Sequence, residues 1–342
     1  MKIEYIYDTK SEGFEGSVAR VFKSVIKGIR SQFDAKVEQS YVKPIGYWLI
    51  SMFINGLRYG FKSYLHTNKI YHITGCVHYL ACFMNPRNTI LTIHDLVILN
   101  DASVNKYYRI FIYWLWYYIP IKRLNYVTCI SEATKNDIIN RFPWASSKLT
   151  VISDPIDDMY RYIPNEYNNV LPTILHVGTR SNKNLERVIE ALNGIKCHLR
   201  IIKPLEAHQI RLLEKYHINY TNAYNLTDEE MVEEYCKADI ISFPSLFEGF
   251  GMPIIEGQTV GRPIVTSDRE PMKSVAGDGA LLVNPESVAS ICTGFLSVMN
   301  NDALRQLLIQ KGLDNARRFN YLVIAEKYYK YYQKNHIGDI NN

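Results

Sequence analysis

Apolar and polar positions along the chain alternate between two kinds of spacing. Met1–Tyr7 repeats with a period of two and predicts a strand. Behind Gly13-Phe14-Glu15-Gly16-Ser17, residues 18 to 30 repeat at helical spacing. Short extended pieces are predicted at Lys69–Thr74, Thr89–Ile93 and Tyr126–Ile130, then a helix over Glu132–Arg141 with Ser131 as its N-cap, and a closing strand at Leu149–Ile152. Turn-forming Pro, Asn and Asp cluster between Asp154 and Asn169, as expected of a linker. The pattern then restarts. Strand Thr173–Val177 precedes helix Asn184–Leu192, and strand His198–Ile202 precedes helix Glu206–Tyr216. Helix Asp228–Lys237, strand Asp239–Phe243, a helix from Gly251 or Met252, strand Pro263–Thr266 and helices after Pro285 and Asp302 complete it. Strands alternating with helices predict parallel sheets covered on both faces. Two such runs predict an α/β chain of two doubly wound, Rossmann-like domains facing a central cleft, with ligand at the carboxyl ends of the strands.

Composition narrows the class. A chain of 342 residues can build two cores. Its net charge of +5 is too small to argue for nucleic acid, and suits anionic substrates or an anionic membrane surface. The six cysteines show no C-x-x-C pair and no metal-ligand spacing. Reduced, buried thiols in a cytoplasmic protein are the expectation. With a first strand predicted from Met1, no signal peptide is expected. The longest apolar run, Tyr107 to Ile119, contains Arg109 and is too short to span a bilayer.

Candidate chemistry concentrates in Phe247-Glu248-Gly249-Phe250-Gly251-Met252-Pro253-Ile254-Ile255-Glu256-Gly257. A buried strand leads into a glycine turn and then a helix, with Pro253 suited to the first turn. Glycines ahead of a helix let its free N–H groups approach an anion closely, and the helix dipole favours that charge. Glu248 and Glu256 bracket whatever docks there. An anion flanked by hydroxyl-rich groups describes a nucleotide sugar. The plainer reading is an ordinary glycine turn with a solvated Glu256. A second strand–turn–helix, Val177-Gly178-Thr179-Arg180-Ser181-Asn182-Lys183-Asn184, adds two cations that can oppose a diphosphate. Alternatively, it is a solvated basic loop. No D-x-D occurs in the chain, so no carboxylate clamp for a metal-bound diphosphate is present and no metal is expected.

These residues resemble a family. V-G-T…K-N-L…E-A-L at Val177–Leu192, A-D-I-I-S-F-P-S-L-F-E-G-F-G-M-P-I-I-E at Ala238–Glu256 and G-R-P-I-V-T-S at Gly261–Ser267 are similar to glycosyltransferase family 4, retaining enzymes of the GT-B fold. Ala276–Pro285, Thr92-Ile93-His94-Asp95-Leu96 and Thr128–Thr134 continue the likeness. The chain departs from the family at Pro271–Asp278, where Ser274 stands in place of a frequent glutamate. Phe319-Asn320-Tyr321 followed by Ala325–Tyr328 is similar to the family's closing helix, which crosses back to the first domain. The implied domains are an acceptor-side domain over 1–165, a donor domain over 166–318, and a crossover helix and tail over 319–342.

The resemblance implies roles. Glu256 would bind the donor's ribose hydroxyls and Glu248 the donor sugar. Backbone N–H groups at Gly249, Phe250, Gly251 and Met252 would hold sugar hydroxyls and phosphate. Lys183 and Arg180, beside Gly178, would bind the diphosphate. Gly16 would approach it from the other domain, and His94 would line the reaction centre. Retention without an evident nucleophile implies front-face attack, with the diphosphate taking the acceptor's proton. GDP-mannose is the expected donor, in polysaccharide or O-antigen assembly, with no cofactor. Alternatives are a UDP-sugar enzyme with a soluble acceptor and a non-catalytic nucleotide-sugar binding protein. Two aromatic-basic segments, 47–64 and 106–123, suggest a membrane surface and a lipid-linked saccharide acceptor. The other reading packs both into the first domain or a dimer interface. In the second segment, Tyr108, Phe111, Ile112, Leu115 and Ile119 are the expected inner face, with Tyr113, Trp116 and Tyr117 outside it.

Overall fold

The computed structural model describes residues 1–8, 17–100 and 104–335. Its contacts divide the chain into two units, Met1–Asp157 with Tyr321–Asn342, and Asp158–Asn320.

The first unit is built on a parallel sheet of β1 (Lys2–Tyr7), β2 (Lys36–Tyr41), β3 (Ile70–Ile73), β4 (Thr89–Ile93), β5 (Tyr126–Cys129) and β6 (Leu149–Val151), in the order β2-β1-β3-β4-β5-β6. β1, β3 and β4 are almost wholly buried because helices cover both faces, which is why they read as apolar runs. One face packs against the Ser17–Gln32 and Tyr321–Lys334 helices through Phe22, Val25, Ile29, Ile324 and Tyr328. Gly28 marks the crossing of those two helices, since a Cβ there would lie 2.5 Å from the Ala325 Cβ. The C-terminal helix therefore belongs to the first unit. A polar chain is sealed beneath it: the Tyr332 hydroxyl meets the Tyr5 hydroxyl at 3.0 Å and His72 Nδ1 at 2.7 Å, and His72 Nε2 meets Thr92 Oγ1 at 2.7 Å. The hydroxyls of Tyr5, Tyr332 and Thr92 and both His72 nitrogens thus have partners, as burial demands. Burial pushes the His72 imidazole down to about 3, so it is neutral.

The second unit carries β7 (Thr173–Val177), β8 (His198–Ile202), β9 (Tyr220–Ala223), β10 (Ile240–Phe243), β11 (Ile264–Ser267) and β12 (Leu281–Val283), all parallel, in the order β12-β11-β10-β7-β8-β9. From β7 the chain winds outward through β8 and β9, then returns to the other side of β7 with β10. The boundary between β7 and β10 is thus a topological switch point, where ligands of doubly wound sheets dock.

Two expectations change. Residues 106–123 form a helix over Lys106–Ile112, a π-helical stretch over Tyr113–Tyr118 and a helix over Ile119–Arg123. The Ile119 N–H donates to the Trp114 carbonyl, five residues back, and this wider turn shifts which side chains face inward. Tyr117, expected outside, is buried, and Tyr113 and Trp116 are half-buried. Tyr108, expected inside, lies in the first helical turn and is 47% exposed. Among the cysteines, Cys129 and Cys197 are buried but Cys76 is exposed, and all six are unpaired.

Candidate functional site

The loops after β7 and β10 meet at the switch point of the second sheet. β7 ends at Val177, and Gly178 follows with φ +104°. A Cβ at Gly178 would lie 2.7 Å from Lys183 Cγ, so glycine leaves the space in which the Lys183 stem runs. Lys183 Nζ then donates to Glu248 Oε1 at 2.6 Å and lies 4.8 Å from the centroid of the Phe243 ring. Asn182 Nδ2 donates to the same carboxylate oxygen at 3.3 Å and to the Phe247 carbonyl at 3.1 Å. The Leu246 N–H closes the junction on the Asn182 carbonyl at 2.8 Å. Two sequence segments 65 residues apart thus form one polar cluster.

The glycine turn ends in the Met252–Val260 helix, with Gly251 at its N-cap and φ +115°. Pro253 carries no N–H and the Ile254 N–H donates to the Gly251 carbonyl at 3.0 Å, so the helix start offers a ligand the N–H of Met252 and those of the turn before it. Pro253 occupies the first turn, as expected. The Phe250 side chain is buried and meets Phe319 edge-to-face at 5.6 Å, so only its backbone is left for a ligand. Glu256, a half-buried residue in the second turn, accepts a hydrogen bond from the Tyr235 hydroxyl at 2.5 Å. Arg180 is exposed, and its guanidinium makes no hydrogen bond or ion pair among the described residues. Where the family often has a glutamate, Ser274 donates its hydroxyl to the Glu270 carboxylate.

Three supporting residues received no role in the motif reading. Tyr235, fully buried, holds Glu256. Asn184, at φ +64° and 1% exposed, donates to the Pro244 carbonyl at 2.9 Å and the Pro285 carbonyl at 2.7 Å. It thereby ties together the loops after β7, β10 and β12. Gln209 donates to the Thr179 carbonyl at 2.7 Å and steadies the loop from the far side. A repeated Asn or a helical Tyr carries no signal in sequence that separates it from its neighbours.

In the first unit His94 follows β4, beside the reversal of strand order between β1 and β3. Its Nε2 lies 2.8 Å from the Thr74 carbonyl oxygen. A carbonyl only accepts, so Nε2 carries the proton and Nδ1 is the nitrogen left for other work. Nδ1 lies 4.0 Å from Asp154 Oδ2. Gly75, with φ +141°, leaves room for the ring, because a Cβ there would come within 3.0 Å of His94 Cδ2. Burial pushes the Asp154 carboxyl up to about 6, against the opposing pull of His94. Asp154 stood in the sequence only as the start of a linker. Gly16 lies outside the described residues. No group of three or more His, Cys, Asp or Glu side chains able to hold a metal ion occurs among the described residues.

Two open α/β sheets of this topology, one with acidic, basic and glycine-turn elements at its switch point, define a doubly wound architecture that takes ligands at that point. Residues 165–314 match the family described as glycosyl transferases group 1. The likeness read from the sequence therefore holds. The fold is GT-B: sucrose-phosphate synthase from Thermosynechococcus elongatus superimposes with a TM-score of 0.79 at 15% identity, covering 99% of this chain and 100% of its own. Among proteins similar in sequence, O-antigen chain mannosyltransferase B of Escherichia coli is 24% identical over 220 residues, which is 57% of either chain. O-antigen chain mannosyltransferase RfbU of Salmonella typhimurium is 26% identical over 214 residues, 60% of this chain and 59% of its own. The matches thus span a little over half the length of these relatives.

Proposed function

We propose that this chain is a retaining glycosyltransferase that moves a hexose from a nucleotide-diphosphate sugar to a lipid-linked saccharide acceptor, with GDP-mannose as donor. One observation carries the reading: Lys183 and Glu248 are joined at 2.6 Å at the β7/β10 switch point. The mannosyltransferase relatives support the choice of sugar, and their O-antigen names support a polysaccharide acceptor.

The chemistry asked of the site is stabilisation of a leaving group. As the anomeric C–O bond breaks, negative charge grows on the diphosphate and positive charge on the sugar. An ammonium has three donors, and Glu248 takes one from Lys183, leaving two for phosphate oxygens. Arg180 adds a second cation, and the Phe250, Gly251 and Met252 N–H groups at the start of the Met252–Val260 helix add fixed dipoles. Such preorganised groups supply the largest catalytic contribution in sites of this kind. Glu256, oriented by Tyr235, binds the ribose hydroxyls; Glu248 contacts the sugar; His94 orients the transferred hexose. The acceptor hydroxyl attacks the face from which the diphosphate leaves, and the diphosphate oxygen takes its proton. In this scheme side chains and amides carry all the charge neutralisation, without a metal ion.

Substituting Glu248→Ala tests the assignment. Turnover with GDP-mannose should be lost while nucleotide binding, read by calorimetry, persists within a few fold. Retained turnover would refute the role of Glu248, and a wild-type protein that binds GDP-mannose but never transfers would refute the enzyme reading.

A further inference from the structure

The Trp48–Leu65 helix is turned inside out. Its buried stripe is Ser51, Asn55, Gly56, Tyr59, Gly60 and Ser63, small or polar residues apart from the tyrosine. Its outer face carries Trp48 at 56% exposure, Leu49 at 53%, Phe53 at 57%, Leu57 at 51%, Phe61 at 70% and Leu65 at 60%. The register is locked. A Cβ at Gly56 would come within 2.4 Å of the Phe83 ring, and one at Gly60 within 2.9 Å of the Phe83 carbonyl. Asn55 donates to the Lys43 carbonyl at 2.9 Å, and the Asn85 N–H donates to Ser63 Oγ at 2.9 Å. Rolling the helix to hide its large side chains would break all four contacts.

The second aromatic-basic segment extends this surface. Trp48 meets Phe111 edge-to-face at 5.2 Å, and Arg123 Nη2 donates to the Tyr64 hydroxyl at 2.9 Å. Tyr107, at 80% exposure, and Trp114, at 46%, carry the apolar surface onward. A contiguous exposed apolar face of this kind marks an interaction surface.

Charge selects the occupant. Between Glu38 and Asp95 the sequence has five Lys or Arg and no acidic residue; between Asp101 and Glu132 it has four and again none. Glu4 engages Lys62 and Lys69, whereas Lys43, Arg58, Lys106 and Lys122 are exposed. A symmetric dimer through this face would set cations against cations, because a two-fold contact opposes a surface to itself. An anionic bilayer offers what the face lacks: hydrocarbon for the Phe and Leu side chains, an interface for Trp and Tyr, and negative headgroups for the cations. We propose that the outer face of the Trp48–Leu65 helix, with Tyr107 and Trp114, docks flat on an anionic lipid surface.

The test is flotation of the full chain with vesicles of phosphatidylcholine alone and of phosphatidylcholine with phosphatidylglycerol, at low salt. Binding should be at least tenfold stronger to the anionic vesicles and should shift tryptophan emission to the blue. Leu57→Gln with Phe61→Gln should weaken it by roughly tenfold or more. The thermal midpoint and nucleotide-sugar binding should be unchanged in that variant. Lys43→Glu with Lys106→Glu should remove the preference for anionic vesicles. Wild-type protein that floats with neither vesicle, or with both equally, would overturn the proposal. So would a concentration-dependent dimer that Leu57→Gln with Phe61→Gln abolishes, with vesicle binding absent. Nucleotide-sugar binding reads the donor site separately, so failure here leaves that reading to its own test.

Discussion

Replacing Asp154 by asparagine should stabilise the protein, and by an amount that depends on pH. Asp154 is 6% exposed, and the His94 ring it faces lies at 4.0 Å, too far for a hydrogen bond. Burial therefore raises its carboxyl from 3.8 to about 6. In the unfolded chain the same group titrates near ~3.9. Below pH ~4 both states hold the proton and no penalty arises. Between pH ~4 and the folded value, the unfolded chain releases its proton while the folded one keeps it, so stability is lost as pH rises and levels off above 6. Holding the proton to about pH 6 and then ionising in a buried site costs about 3 kcal/mol by pH ~8, and about half of that at pH ~5. Asparagine keeps the shape without the charge. Scanning calorimetry should therefore show Asp154→Asn ahead of wild type at both pH values, the lead growing by about 1.5 kcal/mol, or roughly 3–6 °C, between them. A lead that is constant with pH, or wild type the more stable at the higher pH, would refute the reasoning.

Other consequences follow from single contacts. Lys183→Ala leaves Glu248 with Asn182 alone and removes a cation from the diphosphate; nucleotide-sugar affinity by calorimetry should fall by about 2 kcal/mol or more. Gly178→Ala combines a φ of +104° with a 2.7 Å clash on the Lys183 stem, and should weaken binding about as much while the nucleoside alone is held unchanged. Arg262 is 2% exposed and donates to the carbonyls of Ile163, Val260, Gly261 and Cys236. Arg262→Ala should cost about 3 kcal/mol or more in chemical denaturation, with Arg262→Lys recovering only part of it.

Central strands and motif loops were legible in the sequence because burial on both faces forces apolar runs. The helices Glu132–Arg141 and Asp228–Lys237 were bounded to the residue, since each begins at a Ser or Thr whose side chain caps a backbone N–H. The strands that escaped, β2, β9 and β12, all lie at sheet edges. The half-exposed sequences of β2 and β9, such as Lys36–Tyr41, lose the apolar signature, and β12 is apolar but only three residues long. The Trp48–Leu65 helix hid for the opposite reason, its hydrophobic stripe pointing away from the core. In the candidate site, Glu248, Glu256, Lys183 and the glycines stood out because turns and helix starts demand particular residue types. Tyr235, Asn184 and Asp154 did not, because their importance comes from partners distant in sequence.

The most direct test of the central claim is calorimetric titration of GDP-mannose into the protein in excess EDTA, beside the Lys183→Ala variant. Fixed side chains and helix N–H groups are assigned all of the diphosphate's charge, so wild type should bind equally with and without chelator and the variant at least tenfold more weakly. Binding that vanishes in EDTA, or that ignores the loss of Lys183, would contradict the account.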